Sequence, residues 1–296
     1  MHAFSTRPLT VFKNGASRAH DRIIRGALHK AARTVTATIA ALGLTLGSLQ
    51  AQAEDALEFA IAPFLPEAEL VEAYTPVAEH LSKQIDQPVE LKLFPSYLAF
   101  WEATRSGSDF DIALDSAPVT DFRIQRQGWR VIARFDGGVT QSLVTREDDL
   151  VFAPDELVNK RVAVQPTPSV SALTLYQLFP NPVKQPDLVF RDTNRDVVQA
   201  VLDEEVRAAV IPTPLVGGYT GLNTVVTTET LPFLAFSVSP EVHPRTADSL
   251  EQALVSFGRS EEGQEILQSN NLTDIVRAND NLYRGHSELL LGTYGY

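Results

Sequence analysis

The chain has 296 residues and no cysteine, and it carries 25 Lys and Arg against 37 Asp and Glu, a net charge of −12. Disulfides, a thiol nucleophile and a lipid-modified N-terminal Cys are thereby excluded, and a chain of this length can hold together by its core alone. The acidic balance argues against non-specific binding to nucleic acid or to an anionic membrane surface.

The charge is unevenly placed. Arg7, Lys13, Arg18, Arg22, Arg25, Lys30 and Arg33 stand against the single acid Asp21, and an uncharged, mostly apolar stretch follows from Thr34 to Leu49. It ends in Ala51-Gln52-Ala53, the small-x-small pattern that a signal peptidase reads. The apolar run is short for a membrane span, which needs about 20 such residues. Residues 1–53 are therefore expected to be a signal peptide of the general export route, cleaved after Ala53; the other reading is an uncleaved anchor. Removing them leaves 18 basic against 36 acidic side chains. A site for a small anion on such a surface has to be made locally.

Beyond the leader, short apolar runs alternate with helical patterns. Leu57, Phe59 and Ile61 alternate with Glu58 and Ala60, which predicts a strand that Pro63-Phe64-Leu65-Pro66 ends. Leu70, Tyr74, Val77 and Leu81 recur at helical spacing, and Pro76 predicts a kink or restart there. Val89, Leu91 and Leu93 form a second strand, and Leu98 to Ser106 a helix that Gly107 ends. Asp111 to Leu114 and Val131 to Ala133 are further strands. A similar unit begins near Leu150. It comprises strand Arg161–Val164, a turn from Gln165 to Ser169, helix Val170–Phe179, strand Leu188–Phe190, a helix capped by Thr193 with Asp196, and strand Ala208–Ile211. Gln141 to Thr145 and Pro232 to Val238 read as extended crossovers between the units, and helices near Ala247–Phe257 and Glu261–Leu267 close the chain. This β-α-β alternation implies parallel sheets flanked by helices. The expected fold class is α/β with two lobes and two crossovers: residues 55–140 plus 237–296 in lobe one, 141–236 in lobe two.

Several segments in this order resemble the periplasmic phosphonate-type solute-binding proteins of ABC transporters, over about Leu57 to Tyr283. They are Phe59-Ala60-Ile61-Ala62-Pro63, Tyr74-Thr75-Pro76-Val77-Ala78-Glu79-His80-Leu81, Ser106-Gly107-Ser108-Asp109-Phe110-Asp111-Ile112-Ala113, and Lys160-Arg161-Val162-Ala163-Val164 followed by Ser169-Val170-Ser171. The resemblance implies a two-lobed periplasmic binding fold that captures a small, oxyanionic, phosphonate-like ligand by lobe closure and delivers it to an ABC permease in the inner membrane. It implies no cofactor, no nucleic acid partner, a monomer, and no chemistry on the ligand. The expected ligand set is Phe64, Tyr97, Asp115, Ser116, Thr140, Ser169, Val170, Ser171, Asn194 and Thr213, with Asp115 standing where the family usually has an uncharged residue facing the cleft.

The residues themselves leave alternatives open. A helix start at Ser169 presents free backbone N–H groups and a favourable dipole to an anion, but Ser is equally a preferred N-cap. Tyr97 serves a ligand or packs beneath its helix. Phe64 lines the cleft or staples the helix entry. Asp115 caps the following turn or reads a donor on the ligand. Relative to the family pattern, Val170 replaces a Thr, Asn194 a His and Thr140 a Tyr, and Thr213 and Leu234 stand where some relatives read an amine with carboxylates. His80, His243 and His286 lack metal-ligand spacing, and there is no Gly-x-Ser-x-Gly elbow, phosphate loop or dinucleotide fingerprint. Asp109 with Asp111 is a carboxylate pair, but Asp111 opens an apolar strand and reads as structural, and the acid run Asp203-Glu204-Glu205 reads as a solvated helix end. The other functional readings are a ligand sensor for a membrane receptor and a secreted enzyme on the same fold.

Overall fold

A computed structural model describes residues 55–107 and 110–296. The leader with its cleavage site, and Ser108 and Asp109, lie outside the described residues.

Two sheets organise the described chain. The first takes strands β1 (Leu57–Ile61), β2 (Val89–Lys92), β3 (Ile112–Asp115), β4 (Arg130–Phe135), β12 (Ala235–Val238) and β13 (Ile275–Arg277), in the order β13-β4-β12-β3-β1-β2. The second takes β6 (Gln141–Arg146), β7 (Arg161–Val164), β8 (Asp187–Phe190), β9 (Ala208–Pro212) and β10 (Leu222–Thr227), in the order β10-β6-β9-β7-β8. In each sheet the strands linked through helices are parallel: β2-β1-β3 in the first and β8-β7-β9 in the second. The returning strands β12 and β6 pair antiparallel.

Helix α1 (Glu67–Ile85) runs through Pro76 as one element, with no restart. Leu70, Ala73, Tyr74, Val77, Ala78 and Leu81 are all buried, so one apolar stripe holds both halves to the same sheet and outweighs the hydrogen bond that Pro76 removes. Helix α2 (Tyr97–Arg105) starts at Ser96, whose hydroxyl accepts from the Ala99 amide at 3.1 Å, and Gly107 follows it at φ +81° as expected. Helix α3 (Ala117–Gln127) was not legible, because Asp121 and Arg123 sit on its buried face and break the apolar stripe. In the second lobe α4 (Val170–Leu178), α5 (Asn194–Leu202) and the short α6 (Thr213–Val216) follow β7, β8 and β9. Helix α7 (Pro244–Arg259) then packs on α1 and the first sheet, and α8 (Glu261–Ser269) follows it.

The expected crossovers turn out to be interior strands. Gln141 to Thr145 belong to β6, buried throughout between β9 and β10, and Ala235 to Val238 form β12, buried between β3 and β4. Each is uncharged and apolar enough to read as a connector, yet each supplies the antiparallel strand its sheet needs. A boundary at 236/237 would cut β12, so the whole strand belongs with the first sheet. The true connection is a two-stranded ribbon, β5 (Gly138–Val139) against β11 (Leu231–Pro232), with Val139 opposite Leu231.

The helices carry little that could cross a membrane: among the described residues none is long and apolar enough to do so. Nor do the described residues hold a cluster of three or more His, Cys, Asp or Glu suited to a metal. His80 meets the Ser256 hydroxyl at 3.2 Å, and His243 accepts from the Arg245 amide, so these two histidines do local work far apart.

Candidate functional site

In an open parallel sheet a ligand site forms beyond the carboxyl ends of the strands, where successive chains leave in different directions. The topology places most of the expected residues there. Phe64 follows β1, Tyr97 follows β2, and Asp115 and Ser116 end β3. Ser169, Val170 and Ser171 follow β7, Asn194 follows β8 and Thr213 follows β9. Thr140 lies between the ribbon strand β5 and β6, and its carbonyl accepts from the Thr213 amide at 2.8 Å, tying this connection to the end of β9.

The α4 start is the most developed part. Strand β7 ends at Val164, the chain turns through Pro166 to Pro168, and Ser169 caps the helix. Its hydroxyl donates to the Gln165 carbonyl at 2.9 Å and accepts from the Ala172 amide at 3.2 Å. Ser171 Oγ lies 3.2 Å from Ser169 Oγ, and both residues are buried. The hydroxyl hydrogen of Ser169 is thus directed to a carbonyl, while Ser171, already in the helix, has its Oγ only against Ser169. With that hydrogen committed, Ser171 is the donor across the 3.2 Å contact, and its hydroxyl serves a ligand by turning away from Ser169.

Asp115 is placed differently from a ligand reader. It is fully buried, accepts from the Thr120 hydroxyl, and forms an ion pair with Arg123, itself fully buried. Its carboxylate is therefore turned to the interior. Ser116 is half-buried; its carbonyl accepts from Thr120 N at 2.9 Å and its hydroxyl caps nothing in α3. With Asp115 paired to Arg123, none of the ten expected residues offers a free charge.

Tyr97 is half-buried at the first turn of α2, and desolvation pushes its phenol well above the usual range, so it is a neutral O–H. Phe64 is half-buried with its ring edge-on to Tyr74 at 6.2 Å, and it packs on the core of the first lobe, so it anchors the α1 entry. Val170 is half-buried at the first helical position. Thr213 Oγ1 meets Ser142 Oγ at 2.8 Å. Asn194 is half-buried, and its Oδ1 is sealed from solvent with no hydrogen-bond partner among the described residues. Trp101 and Trp129 are core residues, Trp101 donating to the Tyr294 carbonyl at 2.7 Å.

The lobes meet beside this edge. Leu173 of α4 packs into a cluster with Phe100, Trp101, Phe122 and Leu290 of the first lobe, and Arg195 at the α5 start stands 3.9 Å from Glu69 at the α1 start. One polar residue at the edge escaped the sequence reading. Gln141 opens β6 and is 3% exposed, and its Oε1 has no partner among the described residues. A single Gln before an apolar run carries no motif; its place next to the crossover residue Thr140 was the only available signal.

Comparison with known proteins bears on this arrangement. The family described as "ABC transporter, phosphonate, periplasmic substrate-binding protein" matches residues 59–283. Among solved structures, the chain is similar to PhnD1 of Prochlorococcus marinus in complex with methylphosphonate, at 15% identity and a TM-score of 0.69 over 80% of this chain and 97% of that one. It is also similar to a binding protein component of an ABC phosphonate transporter from Pseudomonas aeruginosa, at 15% identity and a TM-score of 0.66 over 80% and 86% of the two chains. A Xanthomonas citri protein solved with ATP has the same fold, at 13% identity and a TM-score of 0.65 over 81% and 97%. At these identities the structures speak for the fold. No curated protein sequence matches.

Proposed function

We propose a ligand and a working cycle for this chain, which belongs to the phosphonate family of periplasmic substrate-binding proteins of ABC transporters. It is the component that holds a small solute for a membrane permease. The ligand we propose is a small oxyanion of phosphonate type, held at the start of α4 and enclosed as the lobes turn about the β5–β11 ribbon.

The observation that carries this reading is the α4 start. Ser171 and the first-turn amides of α4 sit at the end of β7, on an otherwise acidic chain. Backbone N–H groups at a helix start favour an anion without any cationic side chain. Tyr97, Thr140, Asn194 and Thr213 add neutral donors and acceptors around the same edge. Hinge closure about a narrow connection is an established repertoire for two-lobed proteins.

The same reading includes export with cleavage after Ala53, a monomeric mature protein and no turnover of the solute. The test is calorimetric titration of the protein, purified from the periplasm, with methylphosphonate, phosphite and phosphate, together with N-terminal sequencing. Saturable binding to at least one of the three, and a mature chain starting at Glu54, are expected. Absence of binding to all three would remove the oxyanion reading.

A further inference from the structure

We infer that Gln141 reads a hydrogen carried by the bound solute, so that the site selects singly protonated oxyanions over anions of the same shape and charge that have no O–H. This rests on the proposal that the solute lies at the edge where α4 begins.

Gln141 is held from both sides. Its amide donates to Thr228 Oγ1 at 3.0 Å, its carbonyl accepts from the Thr228 amide at 2.9 Å, and it stands opposite Pro212 in β9. Side chains alternate along a strand, so Gln141 shares a face with Leu143. Leu143 packs with Val164, Ala172 and Leu175, the face that α4 covers. Gln141 therefore lies at the carboxyl end of β9, on the α4 side of the sheet, two residues after the end of β5.

Its side chain is 3% exposed with Oε1 unpaired among the described residues. A buried polar atom without a partner is rare, because it loses its hydrogen bonds to water and gains none in return. A structural role at this edge would look like Gln165, also buried, whose Nε2 donates to the Asp192 carbonyl at 2.9 Å. The Gln141 Oε1 has no partner among the described residues. Asn194 Oδ1, at the helix start after β8, is likewise without a partner among the described residues. A buried acceptor at this edge calls for donor hydrogens on the ligand. An ammonium would supply them, but the one carboxylate among the expected site residues, Asp115, is bound to Arg123. A fully ionised oxyanion offers only lone pairs and would face an amide oxygen with repulsion. An oxyanion that retains one O–H fits both the helix start and the amide acceptor.

The test compares methylphosphonate with methanesulfonate at about pH 5, below the second ionisation of a phosphoryl group at about 6. Both are then singly charged and alike in shape, and only the first carries an O–H. The unaltered protein is expected to bind methylphosphonate at least about tenfold more tightly, the value of one hydrogen bond to a charged group. Gln141→Met, apolar and of similar length, should lose about tenfold for methylphosphonate, change little for methanesulfonate, and melt higher without ligand. Gln141→Glu keeps the acceptor and should keep the preference while weakening both anions. Equal losses for the two anions in Gln141→Met, an unchanged ratio, or a lower melting temperature of that variant without ligand would each overturn the role of Gln141. Failure of the unaltered protein to bind either anion would instead overturn the oxyanion reading on which it rests.

Discussion

The Arg123 guanidinium lies 5.0 Å from the ring centres of both Phe110 and Trp129 and forms an ion pair with Asp115, with both charged groups fully buried. Phe100 forms a further wall at 5.4 Å, and Thr104 Oγ1 accepts from Nη2 at 2.8 Å. Burial lowers the Arg123 pKa to about 9, so the group is still charged at neutral pH and needs its carboxylate. Removing one member of a buried pair strands the other. Asp115→Asn is therefore expected to cost about 3–5 kcal/mol in urea unfolding. Adding Arg123→Met should recover a large part, since replacing both charges by apolar groups is often neutral. A fully stable Asp115→Asn protein would mean that the pair is not what holds α3 to β3.

The two serines at the α4 start should separate cleanly. Ser169 is used internally, as cap of Ala172 and donor to Gln165. Ser169→Ala is expected to lower stability by about 1 kcal/mol, the usual cost of a lost N-cap. Ser171→Ala should leave the melting temperature nearly unchanged and weaken oxyanion binding by about tenfold or more, from a hydrogen bond of about 1.5–3 kcal/mol to a charged group. Thermal melts and titrations of the two single variants decide it. The opposite assignment, with binding lost in Ser169→Ala alone, would put the ligand nearer the Gln165 turn.

Gly138 is required by the approach of the two crossovers. A Cβ there would come 2.4 Å from Thr230 Cγ2 and 2.6 Å from the Leu231 carbonyl oxygen. Gly138→Ala must push β11 away from β5, at a cost of about 1–3 kcal/mol for overpacking. Because this ribbon is the proposed hinge, the variant should also shrink less on adding methylphosphonate than the unaltered protein. Small-angle scattering with and without the ligand reads this as the change in radius of gyration. An identical change in both proteins would place the hinge elsewhere.

Much of the fold was legible because its strands and helices obey simple periods. The alternation at Leu57, Phe59 and Ile61, the stripe from Leu70 to Leu81 and the Thr193 cap all appear where the pattern put them. What failed was the reading of segments whose surroundings override their composition. Asp121 accepts from the Gly285 and Ser287 amides at 3.0 and 2.8 Å, and Arg123 pairs with Asp115, so two charges are buried on a helix that consequently shows no apolar stripe. The uncharged runs at 141–145 and 235–238 read as connectors because sheet order cannot be seen in a linear chain. At the site, Ser169 and Ser171 were visible through the resemblance to the phosphonate-type binding proteins, and Gln141 was not, because its meaning lies in an Oε1 without a partner among the described residues.

The last expectation concerns acid. Asp149 accepts from Arg207 Nε at 2.9 Å and Nη2 at 3.0 Å, joining the segment after β6 to the start of β9. This hydrogen bonding lowers the Asp149 pKa and raises that of Arg207. A carboxylate with a depressed folded pKa stabilises the fold above its unfolded value of about 3.9, and the contribution is lost as pH falls through the lower folded value. Both side chains keep about a third of their surface in water, 31% for Arg207 and 30% for Asp149, so the pair is worth about 1 kcal/mol or less. Asp149→Asn should therefore be less stable than the unaltered protein by up to about that amount at pH 7. The gap should narrow steadily below about pH 4 and close once Asp149 is protonated in both states. Guanidinium unfolding would screen the pair, so urea titrations at low salt are the proper measurement. A gap that stayed constant down to about pH 2 would show that the substitution acts through packing or a neutral hydrogen bond, and that the charge of Asp149 contributes nothing.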